Sequence, residues 1–425
     1  MSDLILYAIP FFFLAMGLEY LTLRHAAHEH AEEQAAIDPD APIGFEAKDT
    51  ATSLSMGVGH LFIAGAWKLV VLVIYAAIYS VSPIQLSPSD WWTWVLLFFV
   101  DDLAYYAFHR SHHRIRLFWA MHVVHHSSEH YNFSTALRQD WSPFTSIFFW
   151  MPGALLFEPW MIYLAFSWSL LYQFLLHTEA VRKLPRPIEF IFNTPSHHRV
   201  HHGSDPKYID RNHAGTLIIW DKLFGTFQEE EEEPVYGITK PLASWNPVTA
   251  NFRTWAELGA LAKQARRWGD KVRVFLKPPG WRPAELGGFQ GPVQRDRASY
   301  HKWDTRAAAG VNGYVAFQFV VAVAVTSFFL FRQGDLGVAR SWAMAGWIIW
   351  TVMDLGVLLE GKRWGWWLEL ARLASLMVLA GMAGDLFPGN TRMAITTALA
   401  GVSLVWCLLL LGRHGRAGIL SSGGR

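Results

Sequence analysis

Cysteine is almost absent from this 425-residue chain: Cys407 alone, inside an apolar run. A lone thiol excludes a disulfide framework, cysteine-type zinc sites and an iron–sulfur cluster. Charge is scarce too. Charged residues are 17% of the chain and the formal net charge is +1, so no global field attracts nucleic acid, and that partner class is excluded. There is no GxGxxG nucleotide loop and no HPGG haem-binding motif of a fused cytochrome domain. The first apolar segment lacks a basic start and a small-residue cleavage site, so it does not read as a cleavable signal.

Apolar sequence is plentiful: 52% of residues are hydrophobic, and there are 22 tryptophans. A spanning helix needs about 20 mostly apolar residues. Such stretches occupy roughly 4–23, 57–82, 91–108, 144–176, 314–331, 341–359, 367–386 and 393–412. Pro152, Gly153 and Pro159 interrupt 144–176, which reads as a hairpin entering the bilayer and returning to the same side. The fold class expected is all-α: a polytopic membrane helix bundle under a cytoplasmic helical cap. Its divisions are 1–90, N-terminal membrane helices; 91–245, a core with the histidine motifs; 246–313, a cytoplasmic cap or linker; and 314–425, C-terminal membrane helices.

Orientation follows from lysine and arginine in the connections. Residues 109–143 carry Arg110, Arg114, Arg116 and Arg138, and 178–313 is rich in both types, whereas 83–90 has neither. The histidine segments therefore fall on the cytoplasmic side. Abundant Arg, Ala, Gly and Trp favour a bacterial inner membrane over the endoplasmic reticulum. The run Glu229–Glu233 is expected to be a solvated charged stretch, because adjacent like charges repel.

Histidine is the unusual count, 19 in all, concentrated between His109 and His202. HRSHH (109–113) ends the third apolar segment, HVVHH covers 122–126 and HHRVHH covers 197–202, with His177 between the last two. On a helix, i, i+3 and i+4 fall within one arc of about 100°. His122, His125 and His126 are thus expected to point one way, as are His198, His201 and His202; His109 and His113 form an i, i+4 pair. One such pair is weak evidence, but two HxxHH triads, a pair and an outlier are strong. A polar membrane boundary would recruit Trp, Tyr, Lys and Arg and would not repeat one triad. Nine imidazoles exceed the needs of one ion and suit two.

Asp102, Tyr106, His109 and His113 form a stripe at i, i+4, i+7 and i+11. An acid in a membrane helix is costly and usually functional, and Asp102 is expected to hydrogen-bond a ligating imidazole or, failing that, a structural partner such as an arginine. Tyr106 and Glu129 complete the candidate catalytic set, with Asp140 and Asp221 as further options. His112 lies on the arc of His109, and His197 widens the third triad; both are expected outside the ligand set. His60, His130, His213, His301 and His414 have no clustered partners. Asp354, Glu360 and Glu369, lying in or near apolar runs with Arg372, suit either a substrate channel or an ion pair.

The order HxxxH, HxxHH, lone His, HxxHH resembles the fatty acid hydroxylase and sterol desaturase superfamily of membrane di-iron enzymes. DDLAYYAFHRSHHRIRLFWAMHVVHHSSEHYNFSTALRQ (101–139) and HHRVHHGSDPKYIDRNHAGTLIIWDKLFGTFQEE (197–230), with the apolar segments after 313, resemble its alkylglycerol monooxygenase branch more narrowly. His213 departs from the aromatic residue expected there. The resemblance implies metal ligands His109, His113, His122, His125, His126, His177, His198, His201 and His202. It further implies two iron ions, which zinc can replace on purification, a lipid substrate whose alkyl chain is hydroxylated or desaturated, and an external reductant such as tetrahydrobiopterin or a separate electron donor. An ether-linked glycerolipid is the expected substrate. A sterol desaturase or another lipid hydroxylase shares every ligand; a histidine-rich metal transporter would instead spread its ligands along a path across the membrane.

Overall fold

In a computed structural model of the protein, residues 4–33, 44–293, 300–305, 307, 309–382 and 389–422 are described, and among them all regular elements are helical, apart from two isolated bridges, Phe192 with Leu217 and Gly203 with Tyr236. The chain divides into two compact units, Met1–Leu242 with Asn251–Lys302, and Ala243–Ala250 with Trp303–Arg425.

The first unit contains α1 (Leu4–Glu33), α2 (Ala47–Val81), α3 (Trp91–Arg114), α4 (Arg116–His122), α5 (Phe133–Ala136), α6 (Ser146–Trp150), α7 (Pro159–Leu176), α8 (Arg186–Ile191), α9 (Pro195–His202), α10 (Ile219–Phe224), most of α11 (Pro247–Gln264) and α12 (Trp268–Leu276). Local chemistry sets the ends that matter. Glu46 caps α2 by accepting the Asp49 N–H at 2.7 Å. Pro159 and Pro195 occupy the first positions of α7 and α9, where a missing N–H costs nothing. His177 closes α7 in a non-helical conformation, φ −83° and ψ 63°. Packing centres on Tyr75, Leu97, Tyr105, Trp150, Phe157 and Met161, which join α2, α3 and α7.

Five helices among the described residues are long and apolar enough to cross a membrane: Ala47–Val81, Pro159–Leu176, Val311–Arg332, Val338–Leu359 and Ala394–Gly412. Leu69, Val73 and Val81 project outward from α2, a surface suited to lipid rather than water. The protein is an integral membrane protein. Residues 4–23 and 91–108 are helical but fall outside these five; α3 carries Asp101 and Asp102 and is rich in tryptophan and tyrosine. Residues 383–386 of the expected 367–386 span lie outside the described residues. The stretch 144–176 does not form two matched arms. Its first half is only α6 between 3-10 turns at Pro143–Thr145 and Met151–Leu155, and its second half is the full-length α7. Pro143 and Pro152 explain the asymmetry, since each removes a helix donor.

The second unit contains α13 (Val311–Leu336), α14 (Val338–Leu359), α15 (Gly365–Met382) and α16 (Gly389–Ser422). Glu369 pairs with Arg372 at 2.6 Å and accepts from Tyr314, while Arg372 also donates to Gln318. The acids flagged in these apolar runs thus include a buried ion pair.

Candidate metal centre

The nine histidines come together as two groups, all buried except the half-buried His122. His109, His113, His122, His126 and His201 form one; His125, His177, His198 and His202 form the other, and within each group the candidate ligand atoms lie within 4.8 Å of one another. The donors come from the end of α3, the end of α4 and the 3-10 turn His125–Ser127, the end of α7, and α9.

The triads do not act as units. α4 stops at His122 and the chain tightens into a 3-10 turn at His125, so the common arc expected for 122–126 is broken. His122 and His126 join the five-membered group, and His125 joins the four-membered one. α9 makes the converse split, sending His198 and His202 to the four-membered group and His201 to the five-membered one. Each HxxHH triad therefore gives an i, i+4 pair to one group and its i+3 histidine to the other, which keeps the two groups adjacent. Across them, the rings of His126 and His202 stack at 4.4 Å.

Main-chain carbonyls orient the rings. Nδ1 of His109, His177 and His201 donates to the carbonyls of His213, Gln173 and Arg211 at 2.9, 2.8 and 2.9 Å, and Nδ1 of His125 to that of Arg138 at 3.3 Å. A carbonyl only accepts, so in these rings the proton sits on Nδ1 and the lone pair on Nε2. Those lone pairs face other Nε2 atoms: His177 meets His125 at 3.3 Å and His198 at 3.1 Å, and His109, His122, His126 and His201 form a chain of contacts at 3.0, 3.1 and 3.2 Å. Between His125 and His177 neither nitrogen has a proton to offer, so the contact is not a hydrogen bond.

An ion with bonds of ~2.1 Å to nitrogen sets neighbouring ligand atoms roughly 3.0–3.4 Å apart. The observed spacing fits that geometry. Nε2 of His113 and of His202 is buried without a hydrogen-bond partner, as expected of further donors to a cation. Burial, reinforced in most of these rings by neighbouring imidazoles, holds the histidines well below the usual imidazole range, with His125 pushed down to about 4. They are therefore neutral at pH 7, the form that binds metal.

The fatty acid hydroxylase family model matches residues 94–226, the stretch that carries all nine histidines. The chain is 36% identical to the alkylglycerol monooxygenase of Danio rerio over 335 residues, which is 78% of this chain and 75% of that protein. It is 34% identical to the alkylglycerol monooxygenase of Homo sapiens over 334 residues, again 78% and 75%. The chain belongs to the alkylglycerol monooxygenase branch of the fatty acid hydroxylase family. An ornithine lipid hydroxylase of Rhizobium tropici is 28% identical over 178 residues, 42% of this chain and 48% of that one. No solved structure matches the chain. Membership in this branch makes the protein a membrane-bound oxidoreductase, a monooxygenase of lipid metabolism.

The residues around the family's histidines differ in several ways from expectation. Asp102 does not bond an imidazole. Its carboxylate accepts from Thr216 N at 2.7 Å, Leu217 N at 3.0 Å and Trp220 Nε1 at 2.9 Å, so it anchors the segment whose His213 carbonyl orients His109. Tyr106 bonds Thr226 Oγ1 at 2.8 Å and accepts from Arg110 at 3.1 Å; its partners are not ligands. Glu129 is half-buried and acts electrostatically on Arg138 and Lys302. Asp221 accepts from the main-chain N–H groups of His213 and Ala214 at 2.9 and 2.8 Å. The main chain of Asp140 accepts from His60 at 2.6 Å.

His112 lies outside both groups, with Nδ1 on the Phe108 carbonyl and Nε2 on Thr145 Oγ1. His197 lies outside too, 3.9 Å from Glu189. His213, by contrast, has clustered neighbours: its ring is 5.1 Å from that of His113.

Sequence alone missed two supports. The acidic run is not simply solvated: Glu230 is buried against Arg199, and Lys207 pairs with Glu231 and Glu232. Arg138 pairs with Asp49 of α2 at 3.1 Å and donates to Ser127 Oγ at 2.9 Å, tying the His125 turn to that helix. The signal available for Arg199 was its place between His198 and His201.

Proposed function

We propose that this protein is a di-iron monooxygenase that oxidises the alkyl chain of an ether-linked glycerolipid at the carbon beside the ether oxygen. The observation that carries the metal reading is the His125–His177 contact, two lone pairs facing at 3.3 Å in a buried site, an arrangement that a bound cation would reconcile. His109, His113, His122, His126 and His201 hold one ion; His125, His177, His198 and His202 hold the other. Imidazole suits zinc, copper and iron, and redox need selects iron, although zinc can fill the same positions on purification. Bound there, the iron pair supplies the dioxygen chemistry that an unactivated C–H bond requires.

The chain's own residues keep the nine imidazoles neutral, fix the Nδ1 protons of His109, His125, His177 and His201 on carbonyls and exclude water by burial. Asp102 and Tyr106 are positioning residues that act through the 213–226 segment. In the overall reaction one C–H bond becomes C–OH, the second oxygen atom leaves as water, and an external reductant provides two electrons. The hemiacetal so formed breaks its bond to the glycerol oxygen, giving a fatty aldehyde and a free glycerol hydroxyl. The reductant is a separate molecule such as a tetrahydropterin, as the resemblance of the sequence to the alkylglycerol monooxygenase branch implies. The arginine-rich connections support a cytoplasmic metal site, and composition supports a bacterial inner membrane.

The alkylglycerol monooxygenase relatives support the ether-lipid substrate. The test is to incubate membranes holding the protein with an alkylglycerol, dioxygen and tetrahydropterin. Fatty aldehyde that depends on all three is expected. A new hydroxyl or double bond on a supplied sterol, with no aldehyde, would replace this substrate with a sterol.

A further inference from the structure

His213 is fully buried, and neither imidazole nitrogen has a hydrogen-bond partner. Its main chain is committed: the N–H donates to Asp221 Oδ1 at 2.9 Å and the carbonyl accepts from His109 Nδ1 at 2.9 Å. The residue is thereby pinned against the five-histidine group from two sides. Its ring packs edge-on to three members of that group, His113 at 5.1 Å, His201 at 5.7 Å and His109 at 5.9 Å between centroids. Nδ1 stands 3.7 Å from Asp221 Oδ1, beyond hydrogen-bond length, and that carboxylate already accepts from Thr226 Oγ1 and two main-chain N–H groups.

A buried imidazole with two unmet nitrogens is destabilising unless something completes it. Protein groups do not. A cation in the adjacent group would complete one of them, because a free Nε2 is a donor to metal. The nitrogens of His213 are not among the five that converge, so it stands beside that set in this structure. Among the described residues the four-histidine group shows no equivalent; a ring flanking it is Tyr131, stacked on His177 at 5.7 Å, with its hydroxyl donated to the Leu176 carbonyl.

We infer that His213 is a tenth metal-facing imidazole, a reserve donor to the five-histidine site. With it, that site, already one nitrogen richer than its neighbour, holds its ion more tightly still. The inference rests on the two-metal reading above, and the experiment separates the two. Full-length protein and the variants His213→Phe, which keeps the ring packing, and His213→Asn, which keeps a polar side chain, are purified in detergent and loaded with cobalt(II). Metal content, the visible cobalt spectrum and release to a chelator are then followed. In the unsubstituted protein two ions leave in two phases. Both variants are expected to load two ions, to change the spectrum of one of them, and to speed the slower phase at least tenfold while leaving the faster phase unchanged. Spectra and release matching the unsubstituted protein in either folded variant would overturn the role of His213 and leave the two-metal reading standing. Failure of the unsubstituted protein to take up two ions would overturn both.

Discussion

Arg199 and Glu230 form a buried two-point ion pair, with Nε on Oε1 and Nη2 on Oε2, each at 2.7 Å. The remaining Arg199 donors bond the carbonyls of Thr178, Val181 and Arg182 at 3.0, 2.7 and 2.6 Å. One guanidinium therefore fastens the segment just after His177 to the helix bearing His198 and His202. Three of the four members of one metal group depend on that fastening.

Glu230→Gln leaves an uncompensated charge, at a cost on the order of 3 kcal/mol, whereas Arg199→Lys keeps the charge and loses the two-point fit and the extra carbonyl donors. Glu230→Gln and Arg199→Lys should both lower the melting temperature and loosen the ion held by His125, His177, His198 and His202. Thermal melts with metal analysis check this. Wild-type melting and full metal retention in Glu230→Gln would show that the pair is dispensable.

Asp102 accepts three N–H donors on two oxygens. Asn would offer a single accepting oxygen, and each buried donor left unmet costs about 1–3 kcal/mol. Asp102→Asn should therefore melt earlier and lose turnover faster on warming, with its preference among lipid chain lengths unchanged. Gly215→Ala should act in the same direction, since an added Cβ would sit 2.8 Å from Tyr105 Cδ1 and 3.0 Å from Asp102 Oδ1. A changed chain-length preference in Asp102→Asn would instead put this carboxylate against the substrate.

Much of this was legible in the sequence, for reasons that differ by element. The apolar helices α2, α13, α14 and α16 announce themselves by length and composition. The nine histidines stand out because two HxxHH triads, a pair and an outlier do not recur by chance. Their division into five and four was not legible, because it depends on where α4 ends and a 3-10 turn begins, and on which neighbours the unbroken α9 meets in the fold. Periodicity assumes one continuous helix through 122–126. The partner of Asp102 was equally hidden: it is main chain 114 residues away, and backbone amides leave no mark in composition. The neighbours of His213 were hidden for the same reason, since His113 and His201 meet it only in the fold.

His112 and His197 lie within the histidine motifs but outside both groups. His112→Ala and His197→Ala should keep both metals and most turnover, although His112→Ala loses two hydrogen bonds, each worth about 1 kcal/mol. Ala at any of the nine converging positions should abolish turnover. Tyr106→Phe should cost no more than a few-fold, because its hydroxyl meets Thr226 and Arg110 and no imidazole of either group. Assays of purified variants beside metal analysis check all four expectations, and metal loss in His197→Ala would redraw the ligand boundary.

The most direct test is to count iron in the purified, chelator-free protein and in variants that each weaken one group. His177→Ala leaves the four-membered group three donors, and His109→Ala leaves the five-membered group four. The expected result is about two irons per chain in the unsubstituted protein, about one in His177→Ala, and in His109→Ala a second iron that a chelator strips faster than from the unsubstituted protein. A single iron in the unsubstituted protein that either substitution removes completely would contradict two sites and require one shared centre.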